Sequence, residues 1–346
     1  MSESVHPVLS AAAAYRRQLL RQEDAATRRL ISAYGAAYQR VGAQIEALQD
    51  SLTGKPITPG QATKLAQLRA LKEQIATEVD RFGIVASNEL RQATQQAIKL
   101  GLNHSTGLVD AHFASPQAKQ ALAARFNQLV PEQVETMLGF LSPNSPLHTG
   151  LVNNLGSAVA ENVSQNLVDG ITRGFNPNKT AAIIRREMGV GLAWAINTVR
   201  TANLWSYREA TRANYVANSD VVSGWTWYAQ LDGRVCGNCL SQHGSHHSLD
   251  DTLNGHHQCR CTMLPDVPLA AKLGISQPAV ESGETWFAAQ PEEDQRSILG
   301  PGMWTAWKDN AVGFDQFHST YEHPAYGTMQ RMPTMAELGL QEYYQN

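Results

Sequence analysis

The chain has 346 residues, 42% hydrophobic and 17% charged, with a formal net charge of −3. That length suits two or three domains, and that charge removes any global electrostatic case for binding nucleic acid. No run approaches the ~18 apolar residues of a membrane span, and the acidic start M-S-E-S lacks the pattern of a signal peptide, so a chain that stays in the cytosol, or is packaged there, is expected.

The charge is uneven. Residues 281–346 carry ten acids against three bases, which leaves the rest mildly basic. We read this polarity as solvated faces.

Residues 11–50 predict one long helix. Ile31, Tyr34, Tyr38, Val41, Ile45 and Leu48 follow a 3-4-3-4-3 spacing, a heptad seam that needs a partner helix. The punctuation of residues 51–60 by Gly54, Pro56, Pro59 and Gly60 predicts a loop, with Thr58-Pro59 opening a second helix. That helix carries Leu65, Leu68, Leu71, Ile75, Val79 and Phe82 on one side. Two long helices joined this way form an antiparallel αα-hairpin, either an ordinary bundle arm or a docking and oligomerisation stalk.

Shorter helices are expected through 115–220, broken at Ser142–Pro146 and again at Gly189-Val190-Gly191. The last runs from Ala193 to Tyr215. Arg200, Arg208 and Arg212 fall on one side of it, a weak signal for an acidic partner.

The texture changes at Val221. Trp225, Trp227 and Ala229 alternate with Thr226, Tyr228 and Gln230, which predicts a strand. Asp232-Gly233 marks a turn, and Thr262–Pro265 a short return strand closed by its proline. A β-module this small builds little core and needs a staple. The part beyond it is aromatic, with one or two short helices and little regular structure. Its Trp286, Trp304 and Trp307 are expected to pack back on the chain or on a partner.

All four cysteines and five of the eleven histidines lie between Cys236 and Cys261. Cys236-x-x-Cys239 aims two thiolates at one point, and His256-x-x-Cys259-x-Cys261 supplies the other half of a tetrahedral site. The candidate ligands are therefore Cys236, Cys239, His256, Cys259 and Cys261. The best four are Cys236, Cys239, one of Cys259 and Cys261, and a histidine or the remaining cysteine.

Structural zinc is the leading reading. Against it stand a pair of disulfides, disfavoured in a reducing compartment, a redox pair without its βαβ context, an iron–sulfur cluster, and metal-free thiols. A catalytic metal would need an open position and a base. Asp232, Asp250, Asp251, His243, His246 and His247 are near in sequence, yet no H-E-x-x-H or deaminase arrangement is present. The three histidines at 243–247 read as exposed loop residues. Nucleotide-binding and nucleophile-elbow motifs are absent too.

The runs W-T-W-Y-A-Q-L-D-G-R-V-C-G-N-C-L-S-Q-H-G and H-H-Q-C-R-C-T-M-L-P resemble the Mu F-like phage head morphogenesis (minor capsid) proteins. Trp227, Asp232, Arg234, Cys236, Cys239 and Gly244 fall on the first half of that family's pattern. His256, Cys259, Arg260, Cys261 and Pro265 fall on the second. Val235 and His257 depart from it, and Arg200-Thr201 is followed by Ala202 where the family tends to carry Glu. The resemblance covers Val199 to Pro265.

It implies a low-copy structural protein of a tailed phage head rather than an enzyme. Such a protein associates with the portal and other head proteins and acts in head morphogenesis and DNA packaging or ejection. It would be oligomeric or multi-copy in the head, located inside the virion and in the host cytoplasm during assembly, with contact to packaged DNA at most indirect and no membrane before ejection.

The expected fold is mainly α. Residues 1–110 form the long hairpin (a docking or oligomerisation arm), 111–220 a helical body, 221–268 the Cys/His-stapled β-module, and 269–346 an irregular, acidic, aromatic tail. The alternative from another class is a zinc-dependent nuclease or hydrolase using the Cys/His cluster. A zinc-ribbon nucleic-acid binder is weaker, since only Arg234 and Arg260 are basic around the cluster.

Overall fold

A computed structural model describes residues 5–52, 62–127, 129–139 and 177–345. The loop expected at 51–60 and the break at 142–146 lie largely or wholly outside these residues. The chain is mainly helical, as expected, and divides into two compact units. One takes in Met1–Leu20, Gln95–Leu138 and Leu204–Asn346, the other Arg21–Thr94 and Gly139–Asn203.

Three long helices supply most of the helical content: α1 (Pro7–Leu52), α2 (Ala62–Asp110) and α5 (Pro177–Val216). Two short ones, α3 (Pro116–Ala123) and α4 (Pro131–Leu138), each open on a proline, whose fixed φ suits the first helical position. Helix α5 runs unbroken through Gly189 and Gly191, where a helix end was expected. Glycine inside a helix costs about 1 kcal/mol but keeps its backbone N–H, so it weakens a helix without ending it.

In the second unit, α1 and α2 pair antiparallel. Arg29 bonds Glu89 at 2.8 and 2.9 Å, and further along α1 Arg40 bonds Glu78 at 2.6 Å, so positions rise on one helix as they fall on the other. The buried stripe of α1 is Ala26, Leu30, Ala37 and Val41, facing Ile75, Val79, Phe82, Ala86 and Leu90 of α2. Ile31, placed in the seam by its size, is 49% exposed. Val41 of the expected seam is buried, while Leu30 takes the buried place expected of Ile31 and alanines fill two positions of the stripe. Arg200 is not part of a free basic face, because it pairs with Glu23 of α1, which is buried.

The first unit holds the sheet. Strands β1 (Gly224–Tyr228), β2 (His246–Ser248) and β3 (Thr262–Asp266) are antiparallel in the order β2-β1-β3. Trp225 faces Pro265 and His247, and Tyr228 faces Thr262. The central strand is buried on both faces at Trp225, Thr226 and Trp227, so its alternation does not divide core from solvent. Pro265 lies within β3 rather than closing it, which an edge strand tolerates.

The C-terminal part is more regular than its composition suggests. After α6 (Gly237–Gln242) and α7 (Pro268–Lys272) come α8 (Gly283–Ala288), α9 (Glu292–Leu299) and α10 (Pro301–Lys308). A hairpin of β4 (Ser319–His323) and β5 (Gly327–Arg331) follows. Phe287, Phe314 and Phe317 join Trp225, Trp227, Leu240, Cys259 and Met263 in one core, with Trp286, Trp304 and Trp307 packed against it. Among the described residues no helix is long and apolar enough to cross a membrane.

Candidate metal centre

The loop after β1 is shaped by Asp232. Its Oδ1 accepts the Arg234 N–H at 2.9 Å, and its two oxygens accept both Nη groups of Arg260 at 2.7 Å. This bidentate pair ties the segment before Cys236 to the segment between Cys259 and Cys261. Asp232, weighed above as a neighbouring base, is therefore a clamp. The Arg260 hydrogen bonds hold its carboxyl below the usual carboxylate range.

Cys236 stands immediately before α6 and Cys239 lies in its first turn. The turn His256–Cys259 closes through the Cys259 N–H on the His256 carbonyl at 3.1 Å, with Gln258 at φ 58°. These two bends bring the five expected donors together. The His256 Nε2 lies 3.2 Å from the sulfurs of both Cys236 and Cys239, and the Cys239 and Cys259 sulfurs are 3.9 Å apart. Two triads result, Cys236–Cys239–His256 and Cys239–Cys259–Cys261, sharing Cys239. All four thiols are free, and all but Cys236 are buried.

The spacing fits a metal. With Zn–S near 2.3 Å, two sulfurs on a tetrahedral zinc stand about 3.8 Å apart, close to the Cys239–Cys259 separation. The Nδ1 of His256 lies 2.7 Å from the His257 carbonyl. A carbonyl only accepts, so Nδ1 carries a proton and Nε2 is the nitrogen aimed at the sulfurs; with its own proton displaced by a cation, Nε2 would ligate through the tautomer that metal-ligating histidines use.

The electrostatics agree with this donor set. Burial opposes charging of His256, but the hydrogen bond to Cys236 and the charges of Cys259 and Cys236 outweigh it and raise its pKa to about 9. The hydrogen bond from Cys239 lowers Cys236 to about 5, against the effect of burial, and His256 adds to the shift. Hydrogen bonds from Cys239 and Cys261 push Cys259 well below the usual thiol range. Cys239 is held well above it by its bonds to the other thiols, and Cys261 chiefly by burial. The proton between His256 and the thiolates sits where a cation bound by the same groups would replace it. The Cys/His group can thus hold a thiophilic divalent metal.

The other histidines stand apart from this group. His246 is exposed, as expected, 3.0 Å from the Thr226 hydroxyl. His243 is buried, its Nδ1 accepts the Ala229 N–H at 2.9 Å, and burial lowers its pKa to about 4. His247 stacks on Trp225 with ring centroids 4.3 Å apart. Pairing of β2 with β1 draws His247 onto Trp225, and β2 carries no strand signal in its sequence. Asp251 binds the Ser248 N–H and hydroxyl.

Two residues of the site escape a reading by motif. Gly255 packs so closely that a Cβ there would lie 2.6 Å from the Cys259 sulfur. Arg208, placed above on a basic stripe, is 2% exposed and donates to the Cys259 carbonyl at 2.7 Å. The third arginine of that stripe, Arg212, bonds Glu209.

No curated protein and no solved structure matches the chain. A family model does: residues 161–264 match phage Mu protein F like protein. The match ends on β3 and takes in every candidate ligand, so it overlaps the motif read from Trp227 to Pro265 up to Leu264. Over this segment, about a third of its length, the chain is similar to the phage Mu F-like proteins.

Proposed function

We propose that this chain is a minor head protein of a tailed bacteriophage, in which the Cys/His module is a zinc-stapled structural knob. The family is one of phage head proteins, and head morphogenesis is the role it suggests. The observation that carries the reading is the match over residues 161–264, which falls on the module with its Cys/His group. In this reading residues 1–110 are an arm that docks on the portal and other head proteins, 111–220 the body, 221–268 the knob and 269–346 the tail. The protein enters the head in several copies during assembly in the host cytoplasm, remains in the virion, and serves DNA packaging or ejection without catalysis.

The ligand set we favour is Cys236, Cys239, His256 and Cys259, with Cys261 a fifth sulfur kept as a thiol. Cys236, Cys239 and His256 form one group, and Cys259, whose sulfur is 3.9 Å from that of Cys239, shares the second with Cys239 and Cys261. The zinc closes a small β-module and contributes folding energy, as structural zinc does.

Purified protein is expected to carry about one zinc per chain, as a single four-ligand site requires. Cys236→Ser is expected to lose that zinc, melt earlier, and fail to enter heads when it replaces the wild-type chain during infection. A metal-free wild type, or a Cys236→Ser variant that fills heads normally, would refute the staple. Metal-dependent hydrolysis of nucleic acid that disappears in His243→Ala would transfer the protein to the enzyme reading.

A further inference from the structure

The buried charge of Arg208 calls for a partner. Its Nη1 reaches the Cys259 carbonyl, a neutral group, while Nε and Nη2 meet no acceptor among the described residues, and no carboxylate there pairs with it. Removing a guanidinium from water costs several kcal/mol unless an opposite charge faces it. Of the other arginines of the region, one has a carboxylate and one has neutral acceptors at two of its nitrogens. Arg260 has Asp232, and Arg16 donates to the Gln230 side chain at 2.6 Å and the Tyr228 carbonyl at 3.1 Å.

The sulfur of Cys259 lies in the neighbourhood of Arg208. A Cβ placed on Gly255 would lie 2.6 Å from that sulfur and 3.5 Å from the Arg208 Cζ, so sulfur and guanidinium border the same glycine.

We propose that Arg208 is the built-in counter-charge of the metal–thiolate centre, a positioning residue supplied by α5 to a site whose ligands all follow β1. The proposal rests on the metal reading given above. Its arithmetic is simple: a divalent cation, three thiolates and a neutral imidazole leave one negative charge, and one guanidinium cancels it. Zinc binding is thereby coupled to the docking of α5 against the module.

The test is zinc affinity of the full chain by competition with a chromogenic chelator, together with melting of the zinc-loaded and chelated forms. Arg208→Gln keeps a donor for the Cys259 carbonyl and removes the charge. Its zinc affinity is expected to fall about 10–100-fold, the usual cost of losing an outer-shell partner, while its chelated form melts no lower than the chelated wild type. Arg208→Lys keeps the charge and is expected to hold zinc nearly as the wild type does. This second variant decides the matter if Arg208→Gln does not fold.

Unchanged zinc affinity in Arg208→Gln would overturn the counter-charge role, as would equal loss of stability with and without zinc. A similar loss of affinity in Arg208→Lys would do the same. A wild type that binds zinc in any of these cases leaves the metal reading standing, whereas a wild type that binds none removes both.

Discussion

Gly255 sets how closely the loop before the second ligand pair can approach Cys259. A side chain there would meet both the Cβ and the sulfur of Cys259, at 2.7 and 2.6 Å. Neither is the free end of a flexible chain, so the cysteine itself must move. Gly255→Ala is therefore expected to weaken zinc binding by at least about tenfold, the scale of a disturbed ligand environment, when titrated against a chelator. Wild-type affinity in this variant would show that Cys259 is not a ligand. The cysteines were legible as a cluster because Cys-x-x-Cys and His-x-x-Cys bends are local. Gly255 was not, because its role is defined by the atom it leaves room for.

At the scale of elements, the legible part was the existence of helices, and the illegible part was which faces they bury. Large apolar residues at heptad spacing put Ile31 in a seam, while the real stripe of α1 uses alanines and includes the buried Glu23. Within the first unit, the crossing of α2 and α5 is equally hidden. A Cβ on Gly101 would stand 2.5 Å from the Tyr207 carbonyl and 2.9 Å from the Ala210 Cβ. Around it Asn214 donates to Ser105 at 2.8 Å, and the Thr211 hydroxyl, which bonds the Tyr207 carbonyl at 2.9 Å, also lies 3.4 Å from the Gly101 carbonyl. Gly101→Ala must push two helix backbones apart. It is expected to destabilise by about 1–3 kcal/mol, the cost of overpacking, read from the urea midpoint. A neutral effect would mean that the two helices do not meet at Gly101.

At the scale of the molecule, buried neutral histidines make the fold acid-sensitive. Burial lowers His104 and His243 from 6.5 to about 4. His104 is held by Tyr207 and Gln18, at 3.1 Å each, and stacks on Tyr15. The unfolded chain takes up these protons near pH 6.5, the folded one only near pH 4. Stability is therefore full above about pH 6.5 and falls as pH drops toward 4. Asp232, whose carboxyl is held low, adds a loss at still lower pH as it protonates. The urea midpoint is expected to decline between pH 7 and 4.5, and His104→Gln, which cannot titrate, is expected to decline less. Equal slopes for the two proteins would contradict the assignment of His104 as a buried neutral group.

Local order alone was enough to identify the mainly helical class, the Cys/His cluster and the family that residues 161–264 resemble. Turn residues, helix periods and ligand spacings act over a few positions, and a chain of any tertiary arrangement would still carry them. Packing decided the rest. It drew His243 and His247 onto the sheet, gave Asp232 to Arg260, buried Arg208 beside Cys259 some fifty positions away, and folded the aromatic tail into short helices and a hairpin. These partnerships join residues far apart in sequence. What fixes them is the need to cover apolar surface and to answer each buried charge, conditions that exist only once the chain has closed on itself.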